Sequence, residues 1–304
     1  MGCRVSGVTC CWFGEWIAAR DYLERGLLLY DPAHRSNYAE LTVDDTHVVL
    51  LSYLALTLQC LGYLDQARAK REAALAEARV LSQAFTLAHA LSLAIHAEVI
   101  VGGPSGARLH VDELVSLTER QSIGFYSADA MAFQGWCLTM LGQREKGIAL
   151  LTRGLVVRRA HGPSRLPMYL TLLADAYRKL QQPQNGLEQL VEAISMTDRT
   201  QARNYEAEMH RVRGELYMSI HDDGAAEASF REAINVAQHQ SAKTWELRAA
   251  MSLARLWRDQ GKRDEARDLL APVYGWFTEG FDTRDLKDAK ALLEELATKR
   301  AETP

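Results

Sequence analysis

Proline is scarce in this 304-residue chain, seven in all, and no apolar run approaches the length of a bilayer span. The first shortage removes the composition of a disordered or fibrous protein. The second argues against a membrane helix, and the absence of a basic segment followed by an apolar core argues against a secretory signal. Five cysteines, Cys3, Cys10, Cys11, Cys60 and Cys137, form no C-x-x-C pair. Scattered thiols in odd number point to free cysteines in a reducing, cytoplasmic setting. Net charge is −4, from 35 Lys and Arg against 39 Asp and Glu, so no basic excess favours a nucleic acid or an anionic membrane as partner.

Motifs of catalysis are missing too. No G-x4-G-K-[ST] phosphate loop occurs, and Gly102-Gly103-Pro104-Ser105-Gly106 has neither the lysine nor the strand-to-helix setting of a phosphate cradle. No serine lies in a nucleophile-elbow context. His89 and His96 share one side of a helix with His110 nearby, but two turns is too far for a shared zinc ion and no cysteine or carboxylate completes the set. The reading is a protein without enzymatic activity, cofactor or metal. Met1-Gly2-Cys3-Arg4-Val5-Ser6 fits the short myristoylation pattern, but Gly7 behind it belongs to a helical repeat, which is the reading preferred.

Hydrophobic residues make up 48% of the chain and charged residues 24%, enough for a packed helical protein. The stretch Arg203 to Gln240 shows how they are arranged. Two helical patterns meet at Asp222-Asp223-Gly224, with Gly214 and Tyr217 three apart in the first and Ala226, Phe230 and Ala233 at spacings of four and three in the second. Each set falls on one helix face, where small residues allow close approach and aromatic ones fill the space beside it. The pattern resembles a tetratricopeptide (TPR) helix pair at G-x2-Y and A-x3-F-x2-A.

Stepping from Ala226 recovers small residues at Gly186, Gly147, Ala67, Ala19 and Ala266, with partners at Gly7, Ala55, Gly135, Ala174 and Ala254. Positions 147, 186, 226 and 266 lie 39, 40 and 40 apart. The repeat is thus longer than the ~34 residues of a standard TPR. Helix pairs are expected near 3–30, 44–79, 83–121, 125–160, 166–200, 203–240 and 242–277, making an array over 1–282. The first pair reads as incomplete. The third has a first helix that is apolar all round, so it belongs at the middle of the stack with its glycine-rich loop outside. Over 283–304, Thr283 is placed to cap a last helix striped by Leu286, Ala289, Leu292, Leu293 and Leu296, which closes the array. The expected fold is all-α: a right-handed α-solenoid, or superhelix, of about seven TPR-like pairs plus a C-terminal capping helix.

The segment Ser252 to Leu296 resembles the closing segment of large bacterial signalling proteins. In these an AAA-like or NB-ARC-like ATPase module, often preceded by a class III adenylate cyclase domain, is followed by a long TPR-like array. The likeness rests on Leu253-Ala254-Arg255-Leu256-Trp257, Gly261, Glu265-Ala266, Leu269-Leu270, Pro272-Val273-Tyr274, Trp276-Phe277, Gly280-Phe281 and Leu286. It implies that the chain is, or descends from, the sensing or interaction arm of such a protein, without its catalytic parts.

In TPR arrays the first helix of each pair lines the concave surface. Residues flanking the small positions there are Asp175 and Arg178, then Glu208, Arg211 and Glu215, then Arg248, Arg255 and Arg258. They read either as a charged groove ending in arginines that grip a carboxylate or phosphate, or as ordinary salt bridges between neighbouring helices. Trp136 and Met168 hold matching positions and read as peptide anchors or as core. The expected function is a non-catalytic scaffold for a protein or peptide, the regulatory arm of an ATPase or cyclase system. The alternative is a sensor that closes around a small ligand or signalling peptide. Self-association through the incomplete first repeat is a further expectation.

Overall fold

The computed structural model describes residues 1–162 and 165–298, and these build sixteen α-helices and one short 3₁₀ turn. The first pair is α1 (Gly2–Phe13) and α2 (Trp16–Leu28). A connection holding the 3₁₀ turn and the short α3 (Arg35–Ala39) leads to α4 (Thr46–Leu61) and α5 (Leu64–Leu81). Next come α6 (Ala84–Ile100) with α7 (Pro104–Gln121), α8 (Gly124–Met140) with α9 (Arg144–Arg159), and α10 (Leu166–Lys179) with α11 (Pro183–Thr200). The last pairs are α12 (Glu206–Met218) with α13 (Asp223–His239) and α14 (Lys243–Asp259) with α15 (Arg263–Tyr274), followed by the single α16 (Arg284–Ala297). The fold is an all-α solenoid.

Local chemistry sets the boundaries. Gly14 and Gly62 end α1 and α4 in the left-handed conformation, at φ 76° and 92°, which costs glycine nothing. Asp45 and Asp222 accept from the backbone N–H groups of Val48 and Ala225, both at 3.0 Å, and so cap α4 and the approach to α13. Thr283 stands at the N-cap of α16, but its hydroxyl donates to the Gly280 carbonyl at 2.7 Å instead of accepting from the helix. It holds the preceding turn.

The small-residue register is visible as contact between paired helices. Ala19, Ala67, Ala226 and Ala266 are fully enclosed, and Ala107 fills the same place in the third pair, opposite Ile95 where the other pairs have glycine or alanine. That bulky partner is why the third pair hid its register.

The inner side of the solenoid is filled. Every residue of α4 except His47 is buried, and so are thirteen of the seventeen in α6. The cause is closure: α14 packs against α4, where the Thr244 hydroxyl donates to the Gln59 carbonyl at 2.5 Å. The segment before α16 clasps the α4–α5 turn. Trp276 stacks edge-on to Tyr63 at 5.7 Å, Glu279 accepts from the first backbone amides of α5 at 3.1 and 3.2 Å, and Asp65 accepts from the Gly280 N–H at 3.2 Å. The glycine-rich loop is outside only in part, with Ser105 and Gly106 exposed. Gly102 is buried, its carbonyl accepting from Arg284 at 3.2 Å, because the closing helix comes round to meet it.

Candidate functional site

The inner helices α10, α12 and α14 turn one face toward α16 and the buried Gly102 turn, and a polar cavity of about 300 Å³ lies between them. Six basic side chains reach it, Arg178, Lys179, Arg211, Arg248, Arg255 and Arg284, against four acidic ones, Asp175, Glu215, Asp285 and Asp288. One-turn spacing on α12 puts Glu208, Arg211 and Glu215 in a row. Arg211 donates from Nε and Nη2 to the two oxygens of Glu208, each at 2.7 Å, and from Nη1 to Glu215 at 3.0 Å. Arg248 bridges helices, reaching Glu208 at 3.0 Å, Asp285 at 3.3 Å and the Ile100 carbonyl at 2.8 Å. Arg178 pairs with Asp175 at 2.8 Å, and Ser252 donates to Glu215 at 2.7 Å.

Burial and charge compete at these groups. Burial alone would raise the Asp175 carboxyl, yet Arg178, Lys179 and Arg211 outweigh it and hold it well below the usual range. Glu215 is lowered in the same way by Arg211 and Arg178. Asp285 goes upward, because burial there exceeds the attraction of Arg248. Arg255 stands apart. Among the described residues its only side-chain hydrogen bond is to the Met251 sulfur at 4.0 Å, and it makes no ion pair. A half-buried guanidinium at the edge of a cavity with basic excess is equipped to hold an anion by two parallel hydrogen bonds.

The structure thus brings six of the residues singled out from sequence to the cavity, with Glu208, a seventh, just behind its wall. Arg258 lies elsewhere, paired to Glu295 at 3.0 Å and Asp259 at 2.9 Å. Trp136 and Met168 are not groove anchors: at 5% and 4% exposure both belong to the core, because α8 and α10 pack against the inner helices of the neighbouring pairs. Lys179, Ser252, Arg284 and Asp285 were missed. Ser252 and Asp285 needed knowledge of which helices meet, whereas Lys179 was within reach of the one-turn rule from Asp175.

A second charged group lies deep inside. Asp129 is the one charged residue of α8 and is fully buried. It accepts from Arg158 of α9 at 2.7 Å, and from Arg165, Ser92 and Tyr169. Arg158 also donates to the Phe125 carbonyl at 2.8 Å, and its guanidinium lies 4.4 Å over the Phe125 ring.

Two histidines of α6 are buried without full partners. Burial pushes His89 down to about 4 and His96 to about 3, and neither ring nitrogen of His96 has a hydrogen bond. His96 faces Tyr205 and feels Arg165 and Asp129. A folded-state value below the unfolded ~6.5 means the unfolded chain binds the proton first. Stability is therefore complete above about pH 6.5 and declines as pH falls toward 4 and 3, by up to about 1.4 kcal/mol per pH unit for each such histidine. His96→Leu is expected to flatten this limb in urea titrations between pH 6.5 and 4.5. An unchanged slope would mean His96 is not buried as a neutral ring.

No family model matches the chain, and no curated protein matches its sequence. Solved structures do. A Rap protein complexed with competence and sporulation factor aligns over 97% of this chain and 86% of its own, at 12% identity and a TM-score of 0.65. A tetratricopeptide repeat protein from Parabacteroides merdae aligns over 98% of both chains, at 13% identity and a TM-score of 0.52. The chain has a tetratricopeptide-repeat fold. A signal transduction ATPase with numerous domains and a tetratricopeptide repeat sensor, from Pyrococcus horikoshii, also shares this array: 92% of this chain matches 46% of that one, at 13% identity and a TM-score of 0.51. The TPR part of the sequence resemblance is supported by these likenesses, while no comparison supports a link to adenylate cyclases.

Proposed function

We propose that this array is a non-catalytic binding module that takes a protein or peptide through an anionic group held in the charged cavity by Arg255. The observation carrying the proposal is the convergence of six basic side chains on one cavity with one guanidinium left unpaired among the described residues. Supporting it are the TPR fold and the factor-bound Rap protein of the same fold. The role as sensing arm of a bacterial, cytoplasmic signalling ATPase rests on the Ser252 to Leu296 resemblance and on the shared array of the Pyrococcus ATPase. Among the described residues no helix is long and apolar enough to cross a membrane. Closure of the solenoid favours a second reading, a sensor for a small ligand or short peptide, because a cavity of about 300 Å³ accommodates a peptide end and not a helix lying in a groove. Self-association through the first pair draws on its exposed Val5, Ile17, Leu28 and Leu29, and a clean monomer in light scattering at high concentration would dispose of it.

The test is a library of short peptides screened by fluorescence polarisation, with free and amidated C-termini and with acidic or neutral side chains. Anionic members are expected to bind, and Arg255→Ala to weaken them tenfold or more, the ~1.5–3 kcal/mol of a charged hydrogen bond. Because Arg255 makes no ion pair among the described residues, this variant is expected to melt with the wild type. Binding indifferent to both peptide charge and Arg255 would sink the proposal.

A further inference from the structure

At the opposite end of the inner helices lies a second cavity, of about 450 Å³, unrelated to the charged one. Its walls are aromatic. Trp12 of α1 meets Tyr53 of α4 edge-on at 6.4 Å, and Phe85 of α6 meets Tyr126 of α8 at 5.1 Å. Arg165 closes the inner wall, its guanidinium 5.7 Å over the Trp12 ring. The volume lies within the roughly 300–1,000 Å³ of small-molecule sites, which are mostly apolar with a few placed polar groups.

The charge behind the aromatic wall is unbalanced. Arg158 and Arg165 share the single carboxylate of Asp129, and among the described residues neither makes another ion pair. Both arginines are at least nine-tenths buried. The surrounding phenols do not supply the missing negative charge: burial pushes Tyr53 up to about 12 and Tyr126 and Tyr169 higher, so they stay neutral. Toward the mouth, Arg4 and Asp44 cancel by pairing with each other. One positive charge therefore remains on the inner wall of a cavity built of rings. Uncompensated buried charge is costly, and an anion entering beside Arg165 removes that cost.

We propose that this cavity binds an aromatic monocarboxylate, its ring among Trp12, Phe85 and Tyr53 and its carboxylate against Arg165. The same chemistry comes from two sources, a free aryl acid or the C-terminal phenylalanine or tryptophan of a peptide. Indole-3-acetate and N-acetyl-phenylalanine represent the first, and a pentapeptide ending in phenylalanine the second, each with its amide as control. Titration calorimetry with the full chain is expected to show saturable one-site binding of at least one acid and at least tenfold weaker binding of its amide. Val8 lines the cavity from α1 without touching the ion network, so Val8→Phe fills the space and is expected to weaken binding tenfold or more. Arg165→Met is expected to do the same; if it fails to fold, Val8→Phe carries the test alone. Arg255→Ala, in the other cavity, is expected to leave this affinity within twofold, so failure of either proposal leaves the other standing. Binding of the peptide alone assigns a chain terminus, and binding of the free acids assigns a metabolite. No saturable binding by any acid up to millimolar concentration, or binding that Val8→Phe leaves unchanged, overturns the inference.

Discussion

Asp129→Ala is expected to remove about 3–5 kcal/mol of stability, the cost of leaving buried charge without its partner. The carboxylate is fully enclosed and holds two guanidiniums, a serine and a tyrosine hydroxyl from three different segments, α6, α9 and the start of α10. Removing it abandons Arg158 and Arg165 together. Arg158 has two nitrogens without any hydrogen-bond partner even in the intact cluster, so it has no reserve of alternative acceptors. Urea unfolding followed by far-ultraviolet circular dichroism at pH 7 measures the loss. A loss under about 1 kcal/mol would show that water or another acceptor reaches the arginines, because full uncompensated burial costs several times more. The companion variant Asp129→Leu with Arg158→Met and Arg165→Met is expected to recover most of the loss, since apolar replacement of whole buried ion clusters is commonly neutral or stabilising. The sign of the pH dependence follows. Burial raises the Asp129 carboxyl, but Arg165 and Arg158 together with the hydroxyl donors overcome this and hold it below its ordinary value. Its contribution is present above the unfolded value of about 3.9 and lost as pH falls further, through the folded value. Acid unfolding should therefore proceed in two stages, histidine-linked below about pH 6.5 and carboxylate-linked below about 4.

The repeat architecture was legible because it depends on residues a few positions apart. Gly214 with Phe230, and Gly135 with Gly147, are pairs whose meaning is local to one helix hairpin. Most of the charged cavity was legible for the same reason, since Asp175, Arg178, Arg211 and Glu215 are related by single turns of helix. What stayed hidden is set by contacts across the superhelix. Nothing near Thr244 in sequence announces the Gln59 carbonyl, 185 positions away, and nothing near Gly280 announces Leu64. Packing of each inner helix against the next turns the expected groove into core at Trp136 and Met168, and their spacing alone left the anchor reading open. The aromatic cavity has rings from four pairs, so no single repeat carries its signature. Asp129 was the one clue available earlier: a lone carboxylate in the otherwise uncharged helix Gly124–Met140 needs a buried cation.

Gly135→Ala is expected to destabilise the protein more than Gly214→Ala, and the comparison tests the register itself. In an exposed helix interior, glycine to alanine stabilises by roughly 0.5–1 kcal/mol. At both sites that gain is opposed by contact. A Cβ at Gly135 would stand 2.6 Å from the Gly147 carbonyl oxygen and 2.8 Å from the Leu151 backbone nitrogen, so α8 and α9 would have to separate as whole helices. At Gly214 it would stand 2.6 Å from Cδ1 of Phe230, a fully buried ring that can shift only with its neighbours. Overpacking of this kind costs about 1–3 kcal/mol and sometimes more, with backbone obstruction at the upper end because no rotamer relieves it. Gly224 in the first turn of α13 supplies the control, since its nearest neighbour is the Asp222 carboxylate at 3.8 Å, and Gly224→Ala should be neutral or stabilising. Thermal melts of the three variants and of Gly214→Leu give the ranking. Gly214→Leu melting with the wild type would remove the helix-pair contact on which the whole repeat register depends. Equal losses at Gly135 and Gly224 would show that backbone conformation, and not the meeting of helices, is what glycine serves in this array.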